Sequence, residues 1–124
     1  MHYDLAGLND INWNDDLCHV NFFEASAFAA WKGMRLPTEA EWETASHLFN
    51  WGSRWEWTNS AYLPYPGYKK EAGAVGEYNG KFMVNQMVLR GASEVTPIGH
   101  SRNTYRNFFQ THLKWQYTGI RLAK

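Results

Sequence analysis

Gly33-Met-Arg-Leu-Pro-Thr-Glu-Ala-Glu-Trp-Glu43 is the stretch from which the fold is read. Pro37 keeps the backbone extended, Thr38 is a side-chain acceptor at a helix start, and Glu41 follows three residues on as the reciprocal partner. A helix therefore opens at Thr38, with Trp42 and Ala45 three apart on one of its faces. Gly33, at the other end of the stretch, is placed to close a preceding helix in the left-handed conformation. That preceding helix begins at Asn21-Phe-Phe-Glu24, a second acceptor-then-acid start, and Phe23, Ala27, Ala30 and Trp31 follow at helical spacing. Ala25, Ala27, Ala29 and Ala30 give it a small-residue surface suited to close packing.

Working outward, residues 1–20 show no sustained periodicity. Asn12, Asn14, Asp15 and Asp16 are rich in oxygen, but a calcium loop counted from Asn12 would need Gly and Glu where Leu17 and Phe23 stand, so a solvated turn is expected. Downstream, Trp55 and Trp57 alternate as a strand entering the core. Residues 59–81, with Tyr62, Tyr65 and Tyr68, two Pro and four Gly, read as a long ordered loop. Val84–Arg90 is a strand stopped by Gly91, and Thr104–Phe109 and Gln116–Ala123 are two more, with Gly119 marking a bulge or a close backbone approach. Two early helices and short late strands separated by long loops make an α+β chain of one domain over residues 1–124, without repeats or βαβ alternation.

Composition narrows the function classes. The chain has 124 residues, twelve Lys and Arg against twelve Asp and Glu, and so no net charge, which argues against nucleic acid or an anionic membrane surface as partner. No run approaches the roughly 18 apolar residues of a membrane span, and Met1–Trp13 lacks the pattern of a secretory leader, so a cytoplasmic location is expected. One cysteine, Cys18, excludes an internal disulfide and a cysteine-only metal cage; a thiolate nucleophile at Cys18 competes with a plain buried thiol. Seven Trp, seven Tyr and seven Phe are 17% of the residues, although mean hydropathy is −0.56. These rings serve either an aromatic core or a ligand surface.

Local signatures of the standard catalytic constellations are missing: there is no G-x-S-x-G elbow, no phosphate-binding glycine loop and no H-x-x-x-H frame among His2, His19, His47, His100 and His112, which leaves open a Ser-His-Asp triad or a three-His metal site assembled in space, isolated histidines being more often hydrogen-bonders. The arginines are more informative. Arg35, Arg54, Arg90, Arg102, Arg106 and Arg121 lie beside aromatic or glycine-rich segments, where a guanidinium either stacks on a ring and grips a ligand carboxylate, or pairs internally with Glu39, Glu41, Glu43 and Glu56.

The 33–43 stretch, Arg54-Trp-Glu-Trp-Thr58, Leu89-Arg-Gly-Ala-Ser93 and Thr118-Gly-Ile-Arg-Leu-Ala123 together resemble the signature of the formylglycine-generating-enzyme-like, or sulfatase-modifying factor, domain. The motif positions it carries over are Arg35, Glu39, Glu41, Trp42, Trp55, Trp57, Arg90, Gly91, Gly119 and Arg121. The resemblance runs over residues 18–123 and implies a C-type-lectin-like fold with two short helices, short antiparallel strands and long ordered loops. Ser60–Gly67, Gly73–Gly91 and Thr104–Phe109 look, more narrowly, like the C-terminal domain of EgtB-type ergothioneine-biosynthesis sulfoxide synthases. Those enzymes use non-haem iron and oxygen to join a cysteine-type thiol to trimethylated histidine, with iron held by three histidines of a DinB-like helical domain.

By this resemblance Tyr78, Asn107 and Phe108 match positions lining the pocket for the histidine derivative; by its own chemistry, a guanidinium at Arg102 or Arg106 suits a carboxylate. Tyrosine and phenylalanine faces suit a trimethylammonium group, and an Asn amide can both donate to and accept from an imidazole. The cysteines that bind copper in formylglycine-generating enzymes would fall near Arg102 and Asn107, where this chain has none; Gly91-Ala-Ser-Glu94 stands where the narrower family often has Gly-Gly-Ser-Cys, and Val75 replaces a tyrosine that some relatives use in oxygen chemistry. The expectation is a substrate-binding domain with a shortened front, no catalytic or metal-ligating residue of its own, and Fe(II) only if a DinB-like partner supplies the ligands. The alternatives are a non-catalytic small-ligand-binding or self-associating module, with an amino-acid-derived ligand or a second copy as partner, and a truncated fragment of the fold.

Overall fold

Local capping starts both helices where the sequence predicts them. The computed structural model describes residues 1–4, 6–69 and 85–124. A hairpin of β1 (His2–Asp4) and β2 (Gly7–Asn9) precedes α1 (Phe22–Trp31). In α1 the Asn21 side chain accepts from Glu24 N at 2.9 Å, and the Glu24 carboxylate accepts from Asn21 N at 2.9 Å. Gly33, at φ 67°, terminates this helix in the left-handed region. Thr38 and Glu41 make the same reciprocal pair at the start of α2 (Glu39–Ala45), which runs into a 3-10 turn at Ser46–Leu48.

The main sheet is formed by β3 (Trp55–Ala61), β4 (Gln86–Gly91), β5 (Asn107–Gln110) and β6 (Thr118–Gly119), in the order β5-β4-β3-β6. The pairs β3/β4 and β4/β5 are antiparallel, whereas β6 runs parallel to β3, with Trp55 opposite Thr118. This corrects the purely antiparallel expectation. Residues after 119 do not continue the predicted strand; they instead form a single bridge, Ala123 to Arg35. The 59–81 loop is also shorter than expected at its start, because β3 extends to Ala61.

Each face of the sheet carries one layer. On one, Trp55, Trp57 and Leu89 pack with Ala25 and Ala29 of α1 and with Leu36, surrounded by Phe22, Met87, Phe109 and Leu122. The Trp57 indole has a partner even there: its Nε1 donates to Val20 O at 2.9 Å. Helix α1 thus meets the core through alanines, and Phe23, Ala27, Ala30 and Trp31 lie exposed, with Trp31 73% accessible. Close approach of helix to sheet requires small residues at the contact, so the larger rings are pushed to the outer side. The other face of the sheet lies under α2 and is polar, with Glu56, Thr58 and Arg90 buried in it.

The Arg35–Glu41 pair ties α2 to the strand bridge at Ala123. Arg35 donates twice to Glu41, at 2.7 and 2.8 Å, and with the Thr38 amide this holds the Glu41 carboxyl down at about 2, against 4.5 ordinarily. A depressed carboxyl stabilises the fold fully above 4.5, and that contribution disappears as pH falls towards 2. Glu41→Gln keeps the cap but loses the ion pair. Thermal melts should therefore show the variant below the parent at neutral pH, with the gap closing between pH 4.5 and about 2.

Candidate functional site

The arginines of the signature are used chiefly among themselves and their glutamates. Arg90, 1% exposed, lies opposite Glu56 in the β3/β4 register. It pairs with Glu39 at 3.0 Å and Glu43 at 2.7 Å, and also donates to Asn103 O at 2.9 Å. Glu56 takes a different set: Trp42 Nε1 donates to it at 2.6 Å, and Arg121 donates through Nε at 2.6 Å and Nη2 at 2.8 Å. The Arg121 guanidinium lies 3.7 Å over the Phe49 ring. Internal pairing with glutamate therefore holds for Arg35, Arg90 and Arg121. Gly91, at φ 96°, lets Trp42 lie close: an added Cβ would meet its ring at 3.4 Å. Trp55 and Trp57 belong to the opposite, core face.

Around β5 the polar layer opens to solvent through an aromatic edge. Arg106 donates to both oxygens of Glu39, at 2.9 and 2.7 Å, and to Leu63 O at 2.9 Å. Its guanidinium is 4.8 Å from the Tyr62 ring and 4.2 Å from the Tyr65 ring. Phe108 stacks on Tyr62 with ring centroids 4.2 Å apart and planes 10° from parallel. These rings already face a cation, and Tyr65 remains 53% exposed. Glu39 is the hinge of this layer, since it accepts from Arg90 and Arg106 together.

The predicted binding residues are placed unequally. Phe108 and Arg106 join the aromatic edge. Asn107, next to Phe108, points to the other face by strand alternation, and its Oδ1 accepts from Phe108 N at 2.8 Å. Arg102 is exposed in the turn before β5 and makes no ion pair among the described residues. Tyr78 and Val75 lie outside the described residues. Arg106 is committed to Glu39, so a ligand carboxylate would have to share it. The links of Glu39 to both arginines, and the Leu63 carbonyl that accepts from Arg106, carry no sequence signal, because the residues they join lie up to 67 positions apart.

The histidines are scattered. His2 meets Asp4, His19 meets Gln116 O and His100 packs edge-on to Tyr105. Among the described residues no three His, Cys, Asp or Glu side chains gather to hold a metal ion. Cys18 is half-buried, and desolvation pushes its thiol up, away from thiolate character. No described helix is long and apolar enough to cross a membrane.

The sulfatase-modifying factor enzyme 1-like domain family matches residues 9–54. The chain is similar to the hercynine oxygenase of Mycolicibacterium smegmatis, 29% identical over an alignment covering 94% of this chain and 39% of that protein. The hercynine oxygenase of Mycobacterium tuberculosis is 27% identical, over 94% of this chain and 38% of its own length. The formylglycine-generating enzyme of Streptomyces coelicolor is 48% identical across 44 residues, 36% of this chain and 14% of its own. This chain thus spans about two fifths of the hercynine oxygenases it matches, and it is related to both groups through this domain.

Gly91→Ala tests the backbone beneath the site. The added side chain would meet Trp42 only at contact distance, so the positive φ sets the cost, and Gly91→Ala and Gly67→Ala should each lose about 1–3 kcal/mol in urea unfolding.

Proposed function

We propose that this chain is a ligand-binding domain of C-type-lectin-like fold, akin to the substrate-binding part of a hercynine oxygenase, and that its ligand is hercynine, a trimethylated histidine. The observation that carries the reading is the edge where Tyr62 and Tyr65 face the Arg106 guanidinium and Phe108, beside Asn107, stacks on Tyr62. Because β5 is the outer strand of the sheet, a ligand lying along its open side reaches Phe108 on one face and Asn107 on the other. The trimethylammonium group would take the outer ring faces, and the imidazole would take the Asn107 amide. The ammonium–ring contacts are worth on the order of 0.5–2 kcal/mol each.

The resemblance also implies an iron centre. The described residues do not assemble ligands for one, so in this reading a separate DinB-like domain brings them. Catalysis in this chain by itself is not proposed. A binding module with no catalytic partner uses the same edge, and the same titration speaks to both.

Isothermal titration with hercynine should give saturable binding, weakened about tenfold by Asn107→Ala or by Phe108→Ala, on the scale of a lost hydrogen bond or ring contact. Histidine, without its three methyl groups, should bind more weakly than hercynine. Absence of saturation, or equal affinity for histidine and hercynine, would contradict the proposal.

A further inference from the structure

The opposite edge of the sheet holds a second group of polar side chains. Strand β6 is separated from β5 by three strand spacings, about 14 Å. Beside it, Asp16 and Leu17, the 50–54 turn and Gly119–Arg121 enclose a cleft of about 350 Å³. That volume is within the range of small-molecule sites, roughly 300–1,000 Å³.

The charges lining the cleft are balanced and partly committed. Arg121 spends Nε and Nη2 on Glu56 and on Asn50 O, which leaves Nη1 with no hydrogen-bond partner among the described residues. Asp16 accepts from Ser53 Oγ through Oδ2 alone, and its Oδ1 has no such partner. The Asn50 side-chain amide is likewise without one, so donors and an acceptor remain on the lining. Arg121 is held in place by Glu56 and by the Phe49 ring, so its open nitrogen is fixed before any ligand arrives. Gly119 is needed here: a Cβ would come within 3.0 Å of Arg54 Cβ and 3.1 Å of Leu17 O, closing the approach of the Arg54 stem to the floor. Leu17, Trp51 and Ile120 add apolar wall.

Arg54 is held by Glu94 at 3.1 Å and Glu56 by Arg121, so the open polar atoms are Asp16 Oδ1 and Arg121 Nη1: a simple anion would meet the first and a simple cation the second. A ligand carrying both charges on neighbouring atoms satisfies both. We propose that this cleft binds a free α-amino acid with an aliphatic side chain, its carboxylate on Arg121 Nη1 and the Asn50 amide, its ammonium on Asp16 Oδ1, and its side chain against Trp51 and Ile120. The site is independent of the hercynine edge and shares no residue with it.

Amide NMR titration of the whole chain with L-leucine tests this. Saturable shifts are expected for the Asn50 side-chain amide, the Trp51 indole, Ser53 and Gly119. N-acetyl-L-leucine, without the ammonium, and L-leucinamide, without the carboxylate, should bind at least tenfold more weakly. Asp16→Asn, at an exposed position, should weaken leucine about tenfold and leave N-acetyl-leucine unchanged; Asn50→Ala should weaken both. Asn107→Ala should leave leucine binding intact, so that failure here and failure at the hercynine edge are separate results. No saturable shift with leucine, or equal shifts from leucine, leucinamide and acetate, would overturn the proposal.

Discussion

A guanidinium buried in the middle of a sheet constrains everything around it. Arg90 has lost its water, and desolvating such a charge costs several kcal/mol unless anionic partners are close and well oriented. Glu39 and Glu43, one turn apart on α2, supply that charge, so the helix must lie across β4 in one position. Glu39 also binds Arg106, which draws the segment entering β5 to the same point. Glu56 repeats the arrangement one strand over, with Trp42 from α2 and Arg121 from beyond β6. The polar layer is therefore a set of shared carboxylates that joins the helix to all four strands or to their flanks.

The apolar layer on the opposite face seals the sheet without fixing its edges. Alanines bring α1 close, and Trp55, Trp57 and Leu89 fill the space between. Both candidate ligand sites lie beside the two outer strands, β5 and β6. At β5 the rings of Tyr62, Tyr65 and Phe108 converge; at β6 the open atoms of Arg121 and Asp16 line a cleft. In both places residues of the rigid ionic layer reach the surface, which is how a domain with little regular structure can hold a site in a fixed geometry.

Sequence legibility followed the range of the interaction. Both helix starts were readable because a capping box lies within four residues, and Gly33 was readable as the left-handed stop. The resemblance locates Arg90, Glu39, Glu41 and Arg121, and pairing of arginine with glutamate is legible as a class of contact. Which carboxylate meets which guanidinium is not, since Arg90 and Glu39 are 51 residues apart and Arg121 and Glu56 are 65 apart. In helix α1 the close-packing alanines hold for Ala25 and Ala29, which the core buries, whereas Phe23, Ala27, Ala30 and Trp31, which mark the helical period, face outward. The β1/β2 hairpin has no sequence signature, because three-residue strands leave no alternation to read. Parallel pairing of the two-residue β6 has no local signature either, and the cleft draws residues from positions 16 to 121 with no spacing to reveal it.

The claim that the shared carboxylates organise the fold is tested most directly by a double-mutant cycle on Arg90 and Glu39, read by urea unfolding. Glu39→Gln should destabilise the parent chain by about 3 kcal/mol, because Arg90 loses one of its two carboxylates and Arg106 loses its own. In an Arg90→Met background the same substitution should cost less, only the Arg106 pair being left to break, giving a coupling of about 1–3 kcal/mol. Equal losses in the two backgrounds would mean that the pair is incidental, and that the apolar face alone sets the position of α2.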